Sequence, residues 1–433
     1  MKLLHTSDWH LGVLLGGTYD RTAEFQQVLN WFLSLVENEK IDLFLIAGDI
    51  FDSANPPNSA RTQFYDFITD LSHTPCRHLV VIGGNHDSST LLNAPSRLLK
   101  RTRDLNVEII GGITPDNLQR EVITLSDRNN VPEAVICAIP YVPERHLRLL
   151  ELGESIEDQD AKSLAGYKEH YRLVGELAQK ERDRIKAEFG TDVPMIVTGH
   201  LPVKGCETMW SGDDGMRKVM IGNLNGVGLD VFPESADYVA LGHIHRPYAV
   251  ENIDHIRYSG SIIPIGFDET EYSKKVYLTE FDGLKSQIKE IEIPRFRQMK
   301  KIVGASADEI FQALDVLKSE FGDETVYFKA VNTGPPENGL FRKISEHIEE
   351  SSLVCCSFEQ RASDFIKGIA SSTTDESVDD FSEFEAFERL LSAKKVSDDE
   401  KDALRPLFND VVNTVMERDP NAGPGLNSEE PTE

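Results

Sequence analysis

The sequence has little cysteine and no cysteine motif. Five cysteines occur among 433 residues, and none has the C-x-x-C spacing of common zinc and redox sites. An odd number without a spacing pattern argues against a disulfide framework and fits a reduced, cytoplasmic compartment. We therefore expect these residues to be small buried hydrophobic side chains. They are Cys76, Cys137, Cys206, Cys355 and Cys356.

Long hydrophobic runs are also missing. No apolar stretch approaches the ~18 residues that a membrane span needs. A cleaved N-terminal signal is not expected either, because Asp8 already belongs to the candidate site described below. The sequence therefore predicts a cytoplasmic protein with no membrane partner.

Positive charge is scarce. The chain has 45 Lys and Arg against 73 Asp and Glu, a formal net charge of −28. A protein this acidic is not expected to bind nucleic acid by bulk electrostatics. Any contact with nucleic acid therefore needs a local basic patch, a metal site or a partner. One cluster could be that patch or simply a solvated helix face. It consists of Arg97, Lys100, Arg101 and Arg103.

What the sequence does contain is a recurrent pattern: an apolar run, then Asp, Asn or His. One such motif alone is most often a capped turn. Five of them indicate a site, because in α/β sheets ligands bind outside the carboxyl ends of strands. The five are Asp8-Trp9-His10, Gly48-Asp49, Gly84-Asn85-His86-Asp87, Gly199-His200 and Gly242-His243-Ile244-His245.

These segments supply more ligands than one metal ion needs. A single tetrahedral zinc would use four or fewer, whereas this set suits two ions that share a carboxylate. Mixed imidazole and carboxylate donors favour Mn, Fe or Zn over Mg or Ca. Two such ions are the usual clamp for displacement at phosphorus. The predicted ligands are Asp8, His10, Asp49, Asn85, His200, His243 and His245.

Two further residues are candidates for the chemistry. His86 lies beside Asn85 but points the other way in an extended chain, so we predict that it protonates the leaving oxygen. Asp52, three residues after Asp49, could hold the His86 imidazole in the required tautomer.

Residues 1–295 alternate predicted strands and helices. This pattern predicts an α/β fold, a two-sheet sandwich flanked by helices. We predict a helix near 94–103 and a polar, solvated helical excursion at 155–190. The later strands are expected to be antiparallel; they are predicted at 237–241, 247–251, 255–259, 275–281 and 288–293.

The pattern changes after residue 295. Residues 296–367 predict a small β-α-β-α-β domain, and 368–380 an acidic linker. Residues 381–418 predict two amphipathic helices, whose apolar faces need a partner surface or the parent domain. We expect the tail, 419–433, to be disordered.

Together the five motifs resemble those of the calcineurin-like dinuclear metallophosphoesterases: D-x-H, G-D, G-N-H-D/E, G-H and G-H-x-H. Within that superfamily the chain is more closely similar to the nuclease subunits of bacterial SbcCD exonucleases. This closer resemblance spans nearly the whole chain. It includes the segments 5–12, 47–52, 56–57, 198–200, 240–246, 258–264 and 267–269.

The resemblance implies roles for individual residues. It implies that His86 is the catalytic histidine and that Asp49 bridges two metal ions, here expected to be Mn²⁺. Archaeal and eukaryotic relatives tend to carry His at the position of Asp52, which leaves two roles open for it: orienting His86 or contacting substrate. One metal ion would be held by Asp8, His10, Asp49 and His245, the other by Asp49, Asn85, His200 and His243.

The resemblance also implies partners. One is an SbcC-like ABC-type ATPase with a long coiled coil, which would supply much of the DNA binding and accept the helical segment 381–418. The small domain would be a capping domain. The implied activities are an ATP-dependent 3′→5′ exonuclease on duplex DNA and an endonuclease on single strands or hairpins. A homodimer is expected; its contact, or simply the core, would include Phe64, Ile68, Leu91 and Leu92.

Two other functions are consistent with the same motifs. The first is a dinuclear-metal phosphatase or phosphodiesterase with a substrate other than DNA. Ser53 argues against the protein phosphatases, which carry Arg directly after the second Asp of G-D-x-x-D. The second is a scaffold with a decayed site, which the complete set of ligand residues disfavours.

Overall fold

The computed structural model describes residues 1–99, 104–143, 146–147, 156–204, 226–337, 339–361 and residue 405. Met1–Arg361 forms one compact unit. Except for residue 405, the predicted linker, helical segment and tail (368–433) lie outside the described residues. So do three members of the basic cluster and the side chain of the fourth, Arg97.

The described residues form strands and helices close to the predicted ones. The strands are β1 (Lys2–Thr6), β2 (Leu43–Ala47), β3 (His78–Ile82), β4 (Asn106–Ile110), β5 (Val122–Ser126), β6 (Pro132–Cys137), β7 (Met195–His200), β8 (Tyr238–Gly242), β9 (Tyr248–Ala249), β10 (Ile256–Tyr258), β11 (Lys275–Asp282), β12 (Lys285–Glu292), β13 (Gln298–Gly304), β14 (Val326–Asn332) and β15 (Leu353–Gln360). The α-helices are α1 (Thr22–Glu39), α2 (Asn58–Leu71), α3 (Ser89–Asn93), α4 (Ser96–Leu99), α5 (Ile156–Phe189), α6 (Ala307–Phe321) and α7 (Leu340–Ile348).

Two six-stranded sheets carry the site. The first has the order β12-β11-β1-β2-β3-β4, with β1 to β4 parallel and β11 and β12 antiparallel. The second has the order β5-β6-β7-β8-β10-β9, with β6, β7, β8 and β10 parallel and the two edge strands antiparallel. The central strands β2, β3, β7 and β8 are buried along their whole length, as expected for parallel strands covered on both faces.

The two sheets pack face to face with helices outside, which confirms the predicted α/β sandwich. Between the sheets, residues such as Leu45 and Val80 meet Ile136 and Ala240. Helices α1 and α2 cover the outer face of the first sheet, and α5 covers that of the second. The carbonyl of Ala47, at the carboxyl end of β2, accepts from His200 at the end of β7 and lies against Gly242 at the end of β8, so the ends that carry the motifs meet at one place.

Two predictions about this sandwich are wrong. Helix α5 is not a solvated excursion, because its residues Tyr167, Tyr171 and Val174 are buried against the second sheet. Its many charges concealed a narrow apolar stripe. The late strands are not all antiparallel, since β8 and β10 are parallel to each other and β8 is parallel to β7.

No helix among the described residues combines the length and apolar character of a membrane span.

The helix predicted near 94–103 is confirmed in part, because α4 lies within that range and residues 100–103 are outside the described residues. The described part of the chain has two short helices here, α3 and α4, separated by Ala94 and Pro95. A proline has no N–H for the preceding turn and its ring clashes with that turn, so one helix ends and another begins. The dimer candidates Phe64, Ile68 and Leu92 are buried in the core, and Leu91 packs against it.

After the sandwich, the chain forms the predicted β-α-β-α-β unit. Strands β13, β14 and β15 make a parallel three-stranded sheet in that order. Helices α6 and α7 cover it with Ile310, Leu314 and Ile344. Strand β13 contacts the 3₁₀ helix Phe267–Glu271 of the sandwich. The extent of a separate domain, 296–367, stays a prediction.

Candidate metal centre

The loop after β1 and the loop after β2 are tied together by their backbones. The N–H of Asp8 donates to the carbonyl of Gly48 at 3.0 Å, and the N–H of His10 donates to the carbonyl of Asp49 at 3.0 Å. Asp8, His10 and Asp49 have φ values of 49°, 48° and 50°. A left-handed conformation costs free energy in a residue with a side chain, and such residues cluster at functional sites. Here the left-handed conformation directs the side chains of three predicted ligands toward the same pocket.

Asp49 lies at the centre of the pocket. Its Oδ2 lies 3.2 Å from His200 Nε2 and 3.6 Å from His10 Nε2. Its Oδ1 accepts the backbone N–H of His86 at 2.9 Å, which fixes the carboxylate plane. Gly84 is required beside it, because a Cβ at that position would lie 2.1 Å from Asp49 Oδ1. One carboxylate oxygen thus faces imidazoles from both sheets.

The remaining predicted ligands form two groups around Asp49. In the first, His10 Nε2 lies 3.1 Å from His245 Nε2. Asp8 belongs here, since the ligand atoms of Asp8, His10 and His245 all lie within 4.8 Å of one another. In the second, Asn85 Oδ1 lies 3.0 Å from His200 Nε2 and 3.1 Å from His243 Nδ1. The structure therefore brings together all seven predicted ligands.

The surrounding hydrogen bonds orient these ligands. His200 Nδ1 donates to the carbonyl of Ala47 at 2.9 Å, which turns Nε2 of the ring toward Asp49. Asp8 accepts the backbone N–H of His243 at 2.9 Å and the hydroxyl of Ser7. The carboxylate of Asp87 accepts three backbone N–H groups, including that of Gly84 at 2.9 Å, and holds the loops after β2 and β3 together.

The charges of the pocket attract cations. Burial lowers the pKa of His10, but the carboxylates of Asp52, Asp49 and Asp8 outweigh it and raise that pKa to about 9. Burial also lowers the pKa of His200, and Asp49 raises it overall to about 9. Burial and the neighbouring His200 lower the pKa of His243 to about 3. The negative potential around Asp49 would thus be balanced by protons or by metal ions.

The donor set fits divalent metal ions. It offers four imidazole nitrogens, two carboxylates and one amide oxygen, all buried except for the half-buried Asn85. In neutral rings, the facing Nε2 atoms of His10 and His245 can share only one proton, whereas a cation between them would accept a lone pair from each. Oxygen and imidazole donors without thiolate suit Mn, Fe or Zn.

His86 lies at the edge of the pocket. Its Nδ1 donates to the main-chain carbonyl of Asp52 at 2.8 Å, and its ring centroid lies 4.8 Å from that of His10. Burial lowers its pKa. Asp52 therefore contacts the His86 imidazole through its main-chain oxygen. The Asp52 carboxylate lies 3.5 Å from His10 Nδ1 instead.

One buried carboxylate at this site was given no role from the sequence. Glu269 accepts a hydrogen bond from His245 Nδ1 at 2.7 Å and pairs with the buried Lys274. Because it lies 24 residues after His245 in a polar segment, no ligand motif marks it; the only signal was the family resemblance of the segment 267–269. His5 was also given no role; it is buried and bonds to the Tyr238 hydroxyl at 3.0 Å.

Comparisons with known proteins agree with this site. The calcineurin-like phosphoesterase family matches residues 1–247, which contain every predicted ligand. A protein of Escherichia coli K12, named as the D subunit of nuclease SbcCD, is 32% identical over 421 residues, 96% of this chain and 98% of that protein. Proteins of the same name from Rhodobacter capsulatus and Bacillus subtilis 168 are 31% and 32% identical, over 73% and 65% of this chain and 76% and 66% of their own lengths.

Proposed function

The chain belongs to the calcineurin-like phosphoesterases and, within them, to the family of the SbcCD D subunits, and from this we propose that it is a metal-dependent DNA nuclease. It hydrolyses phosphodiester bonds as one subunit of an SbcCD-type complex. The observation that carries the proposal is the position of Asp49, one carboxylate within reach of two groups of ligands. The alternative substrate class is not favoured, because the similar curated proteins are named nucleases.

We further propose that the pocket holds two Mn²⁺ ions. Asp8, His10, Asp49 and His245 would hold one, and Asp49, Asn85, His200 and His243 the other, with Asp49 shared. The ions would supply positive charge to the phosphoryl oxygens and a nucleophile at neutral pH. The protein would supply a rigid frame, because the loops that carry the ligands are tied by backbone hydrogen bonds.

His86 is the proposed proton donor to the leaving oxygen. Because Nδ1 is engaged by the Asp52 carbonyl, Nε2 is the atom left to deliver a proton. The ring stands next to His10 and so lies beside the proposed metal pair. A phosphodiester held there would place negative charge near His86 and favour its protonated form, which opposes the effect of burial.

The partner of this subunit is proposed to be an SbcC-like coiled-coil ATPase, bound through residues 381–418. The complex would act in the cytoplasm as a heterotetramer with two copies of this chain. ATP-dependent 3′→5′ cleavage of duplex ends and cleavage of hairpins would belong to that complex. Deletion of 380–433 should abolish co-purification with the ATPase; unchanged association would refute this role of the segment.

The nuclease proposal is tested with the purified chain and Mn²⁺ on radiolabelled single-stranded DNA. We expect cleavage, its loss on chelation, and its recovery when Mn²⁺ is added back. Bis(p-nitrophenyl) phosphate and p-nitrophenyl phosphate, assayed in parallel, separate a diesterase from a monoesterase. A chain that hydrolyses only the monoester would contradict the proposal and favour the phosphatase alternative.

A further inference from the structure

A buried network of hydrogen bonds and one ion pair contacts His245, one of the proposed metal ligands. The imidazole of His245 donates from Nδ1 to Glu269 Oε1 at 2.7 Å. The other oxygen of Glu269 accepts from the ammonium of Lys274 at 2.5 Å, from the hydroxyl of Ser261 at 3.0 Å and from the N–H of Ile265 at 3.0 Å. Glu269 and Lys274 are only 1% and 4% exposed.

This arrangement fixes the state of His245. A neutral imidazole carries one ring proton, and a strong acceptor at Nδ1 keeps the proton there. The lone pair then resides on Nε2, which faces His10 Nε2 at 3.1 Å, inside the proposed metal centre. A negative charge behind the ring also makes Nε2 a better donor to a cation.

Glu269 would not stay in place through His245 alone. A buried carboxylate is costly unless it is paired and hydrogen-bonded, and Lys274 supplies the opposite charge. Lys274 is held in turn by the carbonyl of His245, at 3.1 Å from its Nζ. His245, Glu269 and Lys274 therefore form a closed set of contacts, in which each residue is positioned by the other two.

The 3₁₀ helix that carries Glu269 is itself anchored. Its first residue, Phe267, is buried with Leu15 and Met299, and Met299 belongs to strand β13 of the small unit. The next residue, Asp268, pairs with Lys301, also in β13. Two neighbouring carboxylates thus bind different parts of the structure: Asp268 pairs with the β-α-β-α-β unit, and Glu269 contacts a ligand of the proposed metal centre.

We propose that Glu269, with Lys274 as its counter-ion, is a positioning residue that sets the metal affinity of the site to which His245 belongs. The proposal rests on the proposed function, since it assumes that His245 binds a metal ion. Glu269 touches neither substrate nor metal ion in this assignment. It acts through the tautomer and the orientation of the His245 ring.

The competing explanation is that the ion pair only stabilises the fold. A matched control separates the two. Glu121 is also 1% exposed and accepts from a histidine, His170 Nε2, at 2.7 Å, but neither residue belongs to the proposed metal centre. Glu269→Gln and Glu121→Gln therefore remove the same charge from similar pairs. A purely structural role predicts that both variants lose stability and that neither loses metal affinity.

The experiment is a titration of the metal-free, full-length chain with Mn²⁺ alone, followed by electron paramagnetic resonance of free Mn²⁺. In Glu269→Gln we expect one of two sites to weaken by about 10- to 100-fold, with the other site unchanged. Glu121→Gln should bind as the parent does. Two unchanged sites in Glu269→Gln would overturn the proposal.

A second measurement needs no variant. In the metal-free parent, ¹H–¹⁵N correlations of the His245 ring report which nitrogen carries the proton. We expect the proton on Nδ1; a proton resident on Nε2 of the neutral ring would overturn the proposal even if Glu269→Gln did not fold. The proposed function fails separately: a parent that binds two Mn²⁺ ions but cleaves no DNA would refute the nuclease and leave the positioning role intact.

Discussion

His10 Nε2 and His245 Nε2 face each other at 3.1 Å, although the two residues are 235 positions apart in the chain. The first follows β1 of one sheet and the second follows β8 of the other. Two basic nitrogens approach this closely only if a proton or a cation lies between them. This pair is therefore the point at which candidate ligands of the two sheets meet, at a separation that fits either one shared proton or two donors to one cation.

The shared carboxylate should be the most sensitive ligand. Asp49→Asn keeps the shape of the side chain but removes the charge that faces both His10 and His200. We expect Mn²⁺ affinity and DNA cleavage each to fall by more than about 100-fold, because a loss of that size already follows from changing residues that only support a ligand. Equilibrium dialysis with Mn²⁺ measures the affinity. Asp70→Asn, at an exposed position of α2, is the control and should behave as the parent.

The proton donor should affect the rate and not the metal content. His86→Ala leaves the seven proposed ligands in place, so we expect two Mn²⁺ ions to bind as before. The rate of DNA cleavage at saturating Mn²⁺ should fall by about 10²- to 10⁴-fold, the usual contribution of a positioned acid or base. The exposed His73 provides a matched variant, His73→Ala, with the parental rate. Equal rates for both variants would remove His86 from the mechanism.

Asp52 should behave unlike His86. Its main-chain carbonyl, not its carboxylate, engages His86, and the carboxylate faces His10 Nδ1 at 3.5 Å. Asp52→Asn should therefore lower Mn²⁺ affinity by up to about 10-fold. The cleavage rate of this variant should largely recover when the Mn²⁺ concentration is raised. Kinetics over a range of Mn²⁺ concentrations distinguish the two cases. A rate defect that persists at saturating Mn²⁺ would show that the carboxylate serves the chemistry directly.

His5 gives a prediction about stability and pH. Burial lowers its pKa to about 3, with a smaller opposing effect from the carbonyl of Leu241. Above pH 6.5 the ring is neutral in both states and contributes nothing. Between pH 6.5 and 3 only the unfolded chain binds the proton. The free energy of unfolding therefore falls by about 1.4 kcal/mol for each unit by which the pH is lowered.

The variant His5→Gln tests that prediction. Glutamine keeps a donor and an acceptor for Leu241 and Tyr238 but takes up no proton on unfolding. Denaturant unfolding gives the free energy of unfolding at pH 7 and at pH 5. The difference between these two free energies should be smaller in His5→Gln, because the proton that His5 binds on unfolding no longer contributes. A parental pH dependence in His5→Gln would mean that His5 is accessible to protons in the folded state.

The centre of the site was predictable from sequence because each group of ligands lies shortly after an apolar run, although the run before Asp8 is only Leu3-Leu4. A run such as Leu43–Ala47 is typical of a strand buried on both faces, and parallel strands bring the residues beyond their carboxyl ends to one edge of the sheet. The residues around the ligands were less accessible. Glu269 stands in a polar 3₁₀ helix, and only tertiary packing shows that it is 1% exposed.

Periodicity and polarity misled where packing decides. Helix α5 is rich in charge, yet Tyr167, Tyr171 and Val174 form one buried line along it. The direction of β8 was equally hidden, because a strand carries no local mark of whether its neighbour runs parallel. The atom through which Asp52 contacts His86 was hidden for a related reason: sequence suggests that the two residues are neighbours but does not say whether a carboxylate or a carbonyl turns toward the ring.

The most direct test of the dinuclear centre is anomalous diffraction at the manganese edge from crystals grown with Mn²⁺. We predict two peaks about 3.5–4 Å apart, with the Asp49 carboxylate in contact with both, His10 and His245 beside one, and His200 and His243 beside the other. A single peak, or two peaks that do not share Asp49, would contradict the metal pair on which the proposed nuclease depends.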